Sequence, residues 1–188
     1  ARISARTCKR YLAAWFPYLP ADRVMRVASS RRADAPEYPL VIVEKVKGAS
    51  RFAAISPEAR RAGLEAGMTL ADARARIPDL WVEEADPRAD VELLDRIVED
   101  CDRFSPVIMA DAPDGVLLDI TGCDHLLGGE AELRRAFSSR MRRAGLHVRT
   151  VIAGAPDTAR ALARHGRIAI VPPGGDAAAV RPLPIAAL

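Results

Sequence analysis

The sequence predicts a mixed α+β domain, and three observations carry that prediction. Two apolar runs, Val107 to Ala110 and Val116 to Ile120, flank Pro113-Asp114-Gly115. Gly accepts positive φ and Asp tolerates it, so this stretch is a β-hairpin with Asp114 at its tip. Upstream, apolar runs alternate with a helical pattern in a β-α-β-β order. Downstream, amphipathic helical patterns lie on both sides of the hairpin, with a further strand after the second of them.

In chain order, Tyr11 to Phe16 is a short apolar run bounded by Lys9-Arg10 and Pro17, which suits a buried strand. Ala21 to Ala28 carries Val24, Val27 and Ala28 at helical spacing and runs out in Ser29-Ser30-Arg31-Arg32. Leu40 to Lys45 is a second strand, and Lys47-Gly48 turns the chain into a third at Arg51 to Ile55. Ser56-Pro57-Glu58 opens a brief helix, with Ser as N-cap, Pro in the first turn and an acid at the positive end of the dipole. Thr69 and Asp72 open another that stops at Pro78, and Leu80 to Glu83 is strand-like. Asp86-Pro87 starts a long helix with Leu94, Ile97, Val98, Cys101 and Phe104 on one face. Beyond the hairpin, Glu130 to Arg143 turns Leu133, Phe137 and Met141 inward. Val148 to Ala153 is a strand, Asp157 to His165 a helix ended by Gly166, and Ile168 to Val171 a short edge. From Pro172-Pro173-Gly174-Gly175 onward the composition reads as linker.

With 188 residues, 49% of them hydrophobic, the chain has ample material for a core. Aromatic content of 5% gives no sign of platforms for stacking bases. The net charge of +3 is mild and rests on arginine, the residue for bidentate phosphate and carboxylate contacts. Cys8, Cys101 and Cys123 are far apart and read as free thiols of a reducing cytoplasm. Cys123-Asp124-His125 lacks a second ligand pair, so no metal site is assigned there. The sequence shows no signal peptide and no run of 18 apolar residues, which argues against export and membrane insertion. On the helix from Glu130, the face bearing Arg134, Arg135, Arg140, Arg142 and Arg143 is a candidate for phosphate contact, against the plainer reading of a solvated helix end.

Three segments in a fixed order resemble the Y-family DNA polymerases. SPEARRAGLEAGMTLADARARIPDL is similar to that family's fingers signature, the hairpin VIMADAPDGVLLDITG to its acidic palm signature, and VIAGAPDTARALARHG to its later palm segment. The resemblance implies a ferredoxin-like palm over 9–50 and 86–171, with helices on one face of its sheet. It further implies a small, mostly helical fingers insertion over 51–85, and over 172–188 a linker leading to a thumb. RYLAAWFPYLPADR, LLDITGC and GGEA resemble a catalytically inactive subgroup of the family.

Two-metal nucleotidyl transfer needs several hard oxygen ligands around paired Mg²⁺ ions. On the family's pattern its first-strand Asp falls on Trp15, and the neighbouring position on Phe16 or Pro17. Its Asp-Glu pair becomes Asp114-Gly115, and Asp119 matches an acid beyond the metal pair. Asp111 is the spare acid nearby. In the nucleotide clamp Pro57 stands for a Tyr, Arg60 keeps the Arg, Arg61 replaces a Lys, and Asp157 stands near a phosphate-attracting Lys. The resemblance therefore implies a polymerase-like protein with no resident metal or cofactor. Its expected setting is SOS-induced translesion synthesis and mutagenesis in the bacterial cytoplasm, at the nucleoid. The partners it implies are DNA, held weakly by this portion, and, through the full-length protein, ImuA, an error-prone replicative-type polymerase and the sliding clamp. Two other readings stand beside it: an active translesion polymerase with a metal site rebuilt from Asp111, Asp114 and Asp119, and a protein-interaction module that binds no DNA.

Overall fold

A computed structural model describes residues 8–31 and 38–184, which fall into two compact units. One comprises the described residues up to Pro17 together with those from Val91 onward; the other runs from Tyr18 to Asp90.

The first unit is built on a four-stranded antiparallel sheet of β1 (Tyr11–Trp15), β5 (Ile108–Asp111), β6 (Gly115–Asp119) and β7 (Arg149–Ala153), in the order β5-β6-β1-β7. β1 is flanked on both edges, and Leu12, Ala13 and Ala14 are buried, so it reads as a continuous apolar run rather than an alternating one. With α4 (Pro87–Asp100) between β1 and β5, and α5 (Glu130–Arg143) between β6 and β7, the succession is the β-α-β-β-α-β of a ferredoxin-like fold. The hairpin joining β5 to β6 turns at Pro113-Asp114 as expected, but not by the expected means: neither Asp114 nor Gly115 has positive φ, Gly115 is already the first residue of β6, and the turn carries a cis bond before Pro113.

Helices cover both faces of this sheet, not one as expected. Strand neighbours point to opposite sides. Thr150, paired with Ala14, meets Ser138 of α5, while Ala13, Leu117 and Val151 pack beneath α6 (Pro156–His165) through Ala159 and Leu162. α4 is joined to α5 by the ion pair of Asp100 with Arg140, and the turn that follows α4 adds the Phe104–Phe137 ring contact. α6 is the addition to the ferredoxin pattern, and its Leu162 and Ala163 are buried because they fall on the sheet-facing stripe.

Residues 172–184, expected as linker, carry α7 (Asp176–Val180). Ala179 and Leu183 pack into the core beneath α6, and the Asp176 carboxylate accepts from the Ala155 amide at 2.9 Å. A Cβ on Gly154 would lie 2.7 Å from that carboxylate, so this approach needs glycine. The end of the predicted linker, from Ile185, lies outside the described residues.

In the second unit β2 (Leu40–Val46) is the centre of a three-stranded sheet, antiparallel to β3 (Ala49–Ile55) and parallel to β4 (Trp81–Glu84). Lys47 and Gly48 both have positive φ, 50° and 81°, a turn that matches the twist of the β2-β3 hairpin. α1 (Leu19–Arg31), longer than predicted, buries Ala21 against Leu40 and Ile42. Arg32, assigned to the helix end, lies outside the described residues. α2 (Pro57–Arg61) and α3 (Leu70–Arg76) begin at the predicted caps, where the Ser56 and Thr69 hydroxyls accept from the amides of Ala59 and Asp72. The second unit spans more of the chain than the insertion expected over 51–85: it also holds α1 and β2, because β2 finds its hydrogen-bonding partners in β3 and β4 and none in β1.

Among the described residues no helix is long and apolar enough to cross a membrane. Cys8, Cys101 and Cys123 are free thiols; burial pushes the Cys101 thiol up to about 12, leaving it protonated and inert at neutral pH.

Candidate functional site

Strand register places Asp111, Gly115, Trp15 and Arg149 in one row across the end of the four-stranded sheet, all on the face that α6 covers. The hairpin turn hangs Asp114 beside this row, and its carbonyl accepts from the Phe16 amide at 2.8 Å, fixing the tip against the end of β1. The Trp15 indole N–H donates to Asp114 Oδ2 at 2.7 Å. Arg164 of α6 donates to the other oxygen, Asp114 Oδ1, at 2.8 Å, and with its second nitrogen to Asp111 Oδ2 at 3.1 Å. Arg160, one turn earlier on the same helix, brings its Nε to 3.0 Å from Asp111 Oδ1. Two half-buried carboxylates therefore converge, and two guanidinium groups fill the space their charge commands.

Trp15 is held from its other side as well. The Arg149 guanidinium lies 5.7 Å from the indole centroid, and its nitrogens donate to the carbonyls of Arg164 and Gly166. Those carbonyls sit at the negative end of α6, where a cation is favoured. The result is a continuous chain from Arg149 through Trp15, Asp114 and Arg164 to Asp111 and Arg160, lying across the sheet end and the C-terminal half of α6. Gly115 completes it by absence of bulk: a Cβ there would lie 3.1 Å from Asp111 Oδ2, from the Asp111 carbonyl and from the Ala14 carbonyl.

Asp119, counted with Asp111 and Asp114 in the rebuilt-metal reading, stands apart. It lies four residues along β6 from Gly115, about 13 Å at strand rise. Its carboxylate takes 2.8 Å and 3.0 Å hydrogen bonds from Lys9 Nζ and the Thr121 amide. Burial pushes its pKa up, but these bonds outweigh burial and hold it below the usual 3.8. Stability from such a depressed group is present above the unfolded pKa and is lost as pH falls through the folded one. Asp119→Asn is expected to flatten the acid side of a Tm-against-pH curve below about pH 4, with little change in slope at neutral pH. An acid limb as steep as that of the parent would remove this assignment.

The remaining predicted residues are dispersed. Pro17 follows the anchored Phe16, just past the end of β1. Pro57 is the first residue of α2, Arg61 forms a surface pair with Glu58, and Arg60 lies over the Tyr18 ring at 5.9 Å, all three in the second unit. Asp157 is exposed at the start of α6 and pairs with Arg160 at 3.1 Å. The basic set on α5 does not act as one face. Arg135 is spent on Glu132, Arg140 on Asp100, and Arg143 on the Ser139 carbonyl, whereas Arg134 and Arg142 line a cleft beside β7. Among the described residues no group of three or more His, Cys, Asp or Glu is arranged to hold a metal ion. Arg149, Arg160 and Arg164 escaped the sequence reading; their one signal was the four-residue spacing of Arg160 and Arg164 astride buried Leu162.

A ferredoxin-like sheet with an acidic hairpin tip beside its first strand, with a second unit inserted in sequence after β1, has the layout of a polymerase palm with a fingers-type insertion. The chain belongs to the impB/mucB/samB family, matched over residues 24–164, and so to the Y-family polymerases. It is 47% identical over 127 residues to Protein ImuB of Caulobacter vibrioides, strain NA1000 / CB15N, a match covering 67% of this chain and 28% of that protein. The Protein ImuB of strain ATCC 19089 / CIP 103742 / CB 15 gives the same figures. Among solved structures, the post-insertion binary complex of Dbh DNA polymerase superposes with a TM-score of 0.77 at 18% identity, over 95% of this chain and 53% of that one. Its insertion ternary complex gives 0.75 over the same shares. The chain thus spans about a quarter of the curated relatives' length and about half of the structural ones.

Proposed function

We propose that this domain is a non-catalytic member of the Y-family, working as an accessory factor in translesion DNA synthesis. The observation that carries this reading is the occupation of the acidic corner by Arg160 and Arg164. A pair of Mg²⁺ ions asks for octahedral oxygen shells bridged by carboxylates. Here two carboxylates converge, both already neutralised by guanidinium groups, and the first strand offers an indole that donates where a ligand must accept. A third carboxylate at position 115 would press against Asp111. The name of the similar Caulobacter protein carries no polymerase label, whereas the similar solved structures are of DNA polymerases. On this reading the domain serves the SOS response of a bacterial cytoplasm, close to the nucleoid. It holds DNA weakly, and the full-length protein recruits ImuA, an error-prone replicative-type polymerase and the sliding clamp. Pro57, Arg60, Arg61 and Asp157 are relics of a nucleotide clamp.

The test is primer extension by the full-length protein with Mg²⁺ or Mn²⁺. No template-dependent product is expected. Extension that Asp114→Ala abolishes would establish instead the active polymerase with an altered metal site, the reading favoured only by the convergence of Asp111 and Asp114. Failure to retain any DNA at low salt would establish the pure protein-interaction module.

A further inference from the structure

β7 is an outer strand of its sheet, and its free edge is engaged at one residue. The Ile152 amide donates to the Ala169 carbonyl at 3.0 Å, and the Ile152 carbonyl accepts from the Val171 amide at 2.8 Å. In an antiparallel strand both backbone groups of a residue point to the same side, and alternate residues share that side. The amide of Thr150 therefore also faces outward, where it has no backbone partner among the described residues. It opens on a cleft of about 190 Å³ lined by Arg134, Arg142, Arg149, Thr150, Arg167 and Ile168, among others, none of them acidic.

The arginines of this cleft are not equivalent. The Arg149 guanidinium is committed to Trp15 and to the end of α6. Arg134 is anchored by a 3.3 Å bond from Nη1 to the Thr150 hydroxyl, and its Nε is enclosed with no hydrogen-bond partner among the described residues. Arg142 and Arg167 are both exposed, one from the end of α5 and one from the segment after α6. Three cationic forks thus lie around one outward amide, with no carboxylate among the described residues that line the cleft. A planar carboxylate has two oxygens and would leave part of this donor set unmet. A phosphate group presents tetrahedral oxygens that can meet donors from several directions at once.

The geometry points to a binding site for a backbone phosphate of a nucleic-acid strand in the cleft along β7, with Arg134, Arg142, Arg167 and the Thr150 amide as its donors. The cleft is open to solvent beside the exposed Arg142 and Arg167, so a phosphate within a longer strand can reach it. This inference rests on the part of the functional reading that places the domain at DNA, and is independent of whether it catalyses.

The experiment is fluorescence anisotropy of a labelled single-stranded oligonucleotide titrated with the 188-residue chain at several salt concentrations. Arg142→Glu and Arg167→Glu are compared with Arg88→Glu, the same charge change at an exposed position on α4. Each cleft variant is expected to weaken binding by about tenfold, and to lower the slope of log K against log salt by about 0.7. Arg88→Glu should stay within about twofold, and Arg142→Glu, which puts an anion in the last turn of α5, should lower Tm by no more than about 4 °C, so all three stay folded at the binding temperature. Equal weakening by all three would replace the site by a diffuse field, and full binding by both cleft variants would remove it. A glutamate-rich peptide that displaces the oligonucleotide at lower concentration than unlabelled DNA would overturn the phosphate assignment. Binding of inorganic phosphate with no oligonucleotide affinity would reassign the cleft to a free anion. Template-dependent extension in the earlier assay would sink the non-catalytic reading and leave this cleft untouched.

Discussion

Replacing Arg160 and Arg164 together by Ala is expected to destabilise the protein and to raise its affinity for divalent cations above that of the parent. Removing one side of a fully buried ion pair costs about 3–5 kcal/mol, because a charge is left without a partner. The side chains here keep roughly a quarter of their surface, 26% for Arg164 and 31% for Arg160, so solvent relieves part of that penalty. About 2 kcal/mol remains, a fall in Tm of about 4–8 °C at this chain length. The freed Asp111 and Asp114, both held near Arg164 in the parent, would then face each other as unpaired carboxylates. Mn²⁺ at about ten times its Kd should recover about 1.4 kcal/mol in the double variant. The parent, whose carboxylates already carry cations, should not respond. Equal Mn²⁺ stabilisation of both proteins would mean that the guanidinium groups do not exclude a metal, and the non-catalytic reading would lose its support.

That corner shows where sequence legibility stops. Features set by neighbours in the chain were readable: Pro113-Asp114-Gly115 named its own hairpin, and Ser56 and Thr69 their caps, because each acts on backbone within three residues. The partners of a strand are not written in it. Leu40 to Val46 is apolar enough to sit in either sheet, and only pairing with β3 and β4 decides that it joins the second unit. Composition misled at Pro172 to Gly175, where a Pro and Gly run precedes a short helix that the core captures through Ala179. The candidate site divided along the same line. Trp15, Asp114 and Gly115 came from the motif and do meet in space. Arg160 and Arg164 look like any solvated pair on a helix, and their role appears only when α6 lies across the sheet.

Arg10→Met is expected to be the more damaging single change. Arg10 is buried, 7% exposed, immediately before β1. Its Nε and Nη2 grip both oxygens of Glu130, and Nη2 also donates to the Val171 carbonyl at 2.8 Å. Three parts of the first unit are thereby tied together: the approach to β1, the first turn of α5 and the segment that leads to α7. The Glu130 hydrogen bond raises the Arg10 pKa, a shift that outweighs the opposing effect of burial, so the cation is secured in the fold. Met fills the channel of the aliphatic stem but leaves Glu130 without a partner and the Val171 carbonyl without its donor, at a cost of about 3 kcal/mol. The expected fall in Tm is about 6–12 °C. Glu130 stays beside the positive end of α5, which softens the loss without replacing the fork. The discriminating measurement is the double variant Arg10→Met with Glu130→Leu, since deleting both charges removes the stranded carboxylate. It should be more stable than Arg10→Met alone, with a coupling of at least about 1 kcal/mol in chemical denaturation. Additive losses, or an Arg10→Met protein within about 0.5 kcal/mol of the parent, would show that the three segments are held by apolar packing and that this buried fork is incidental.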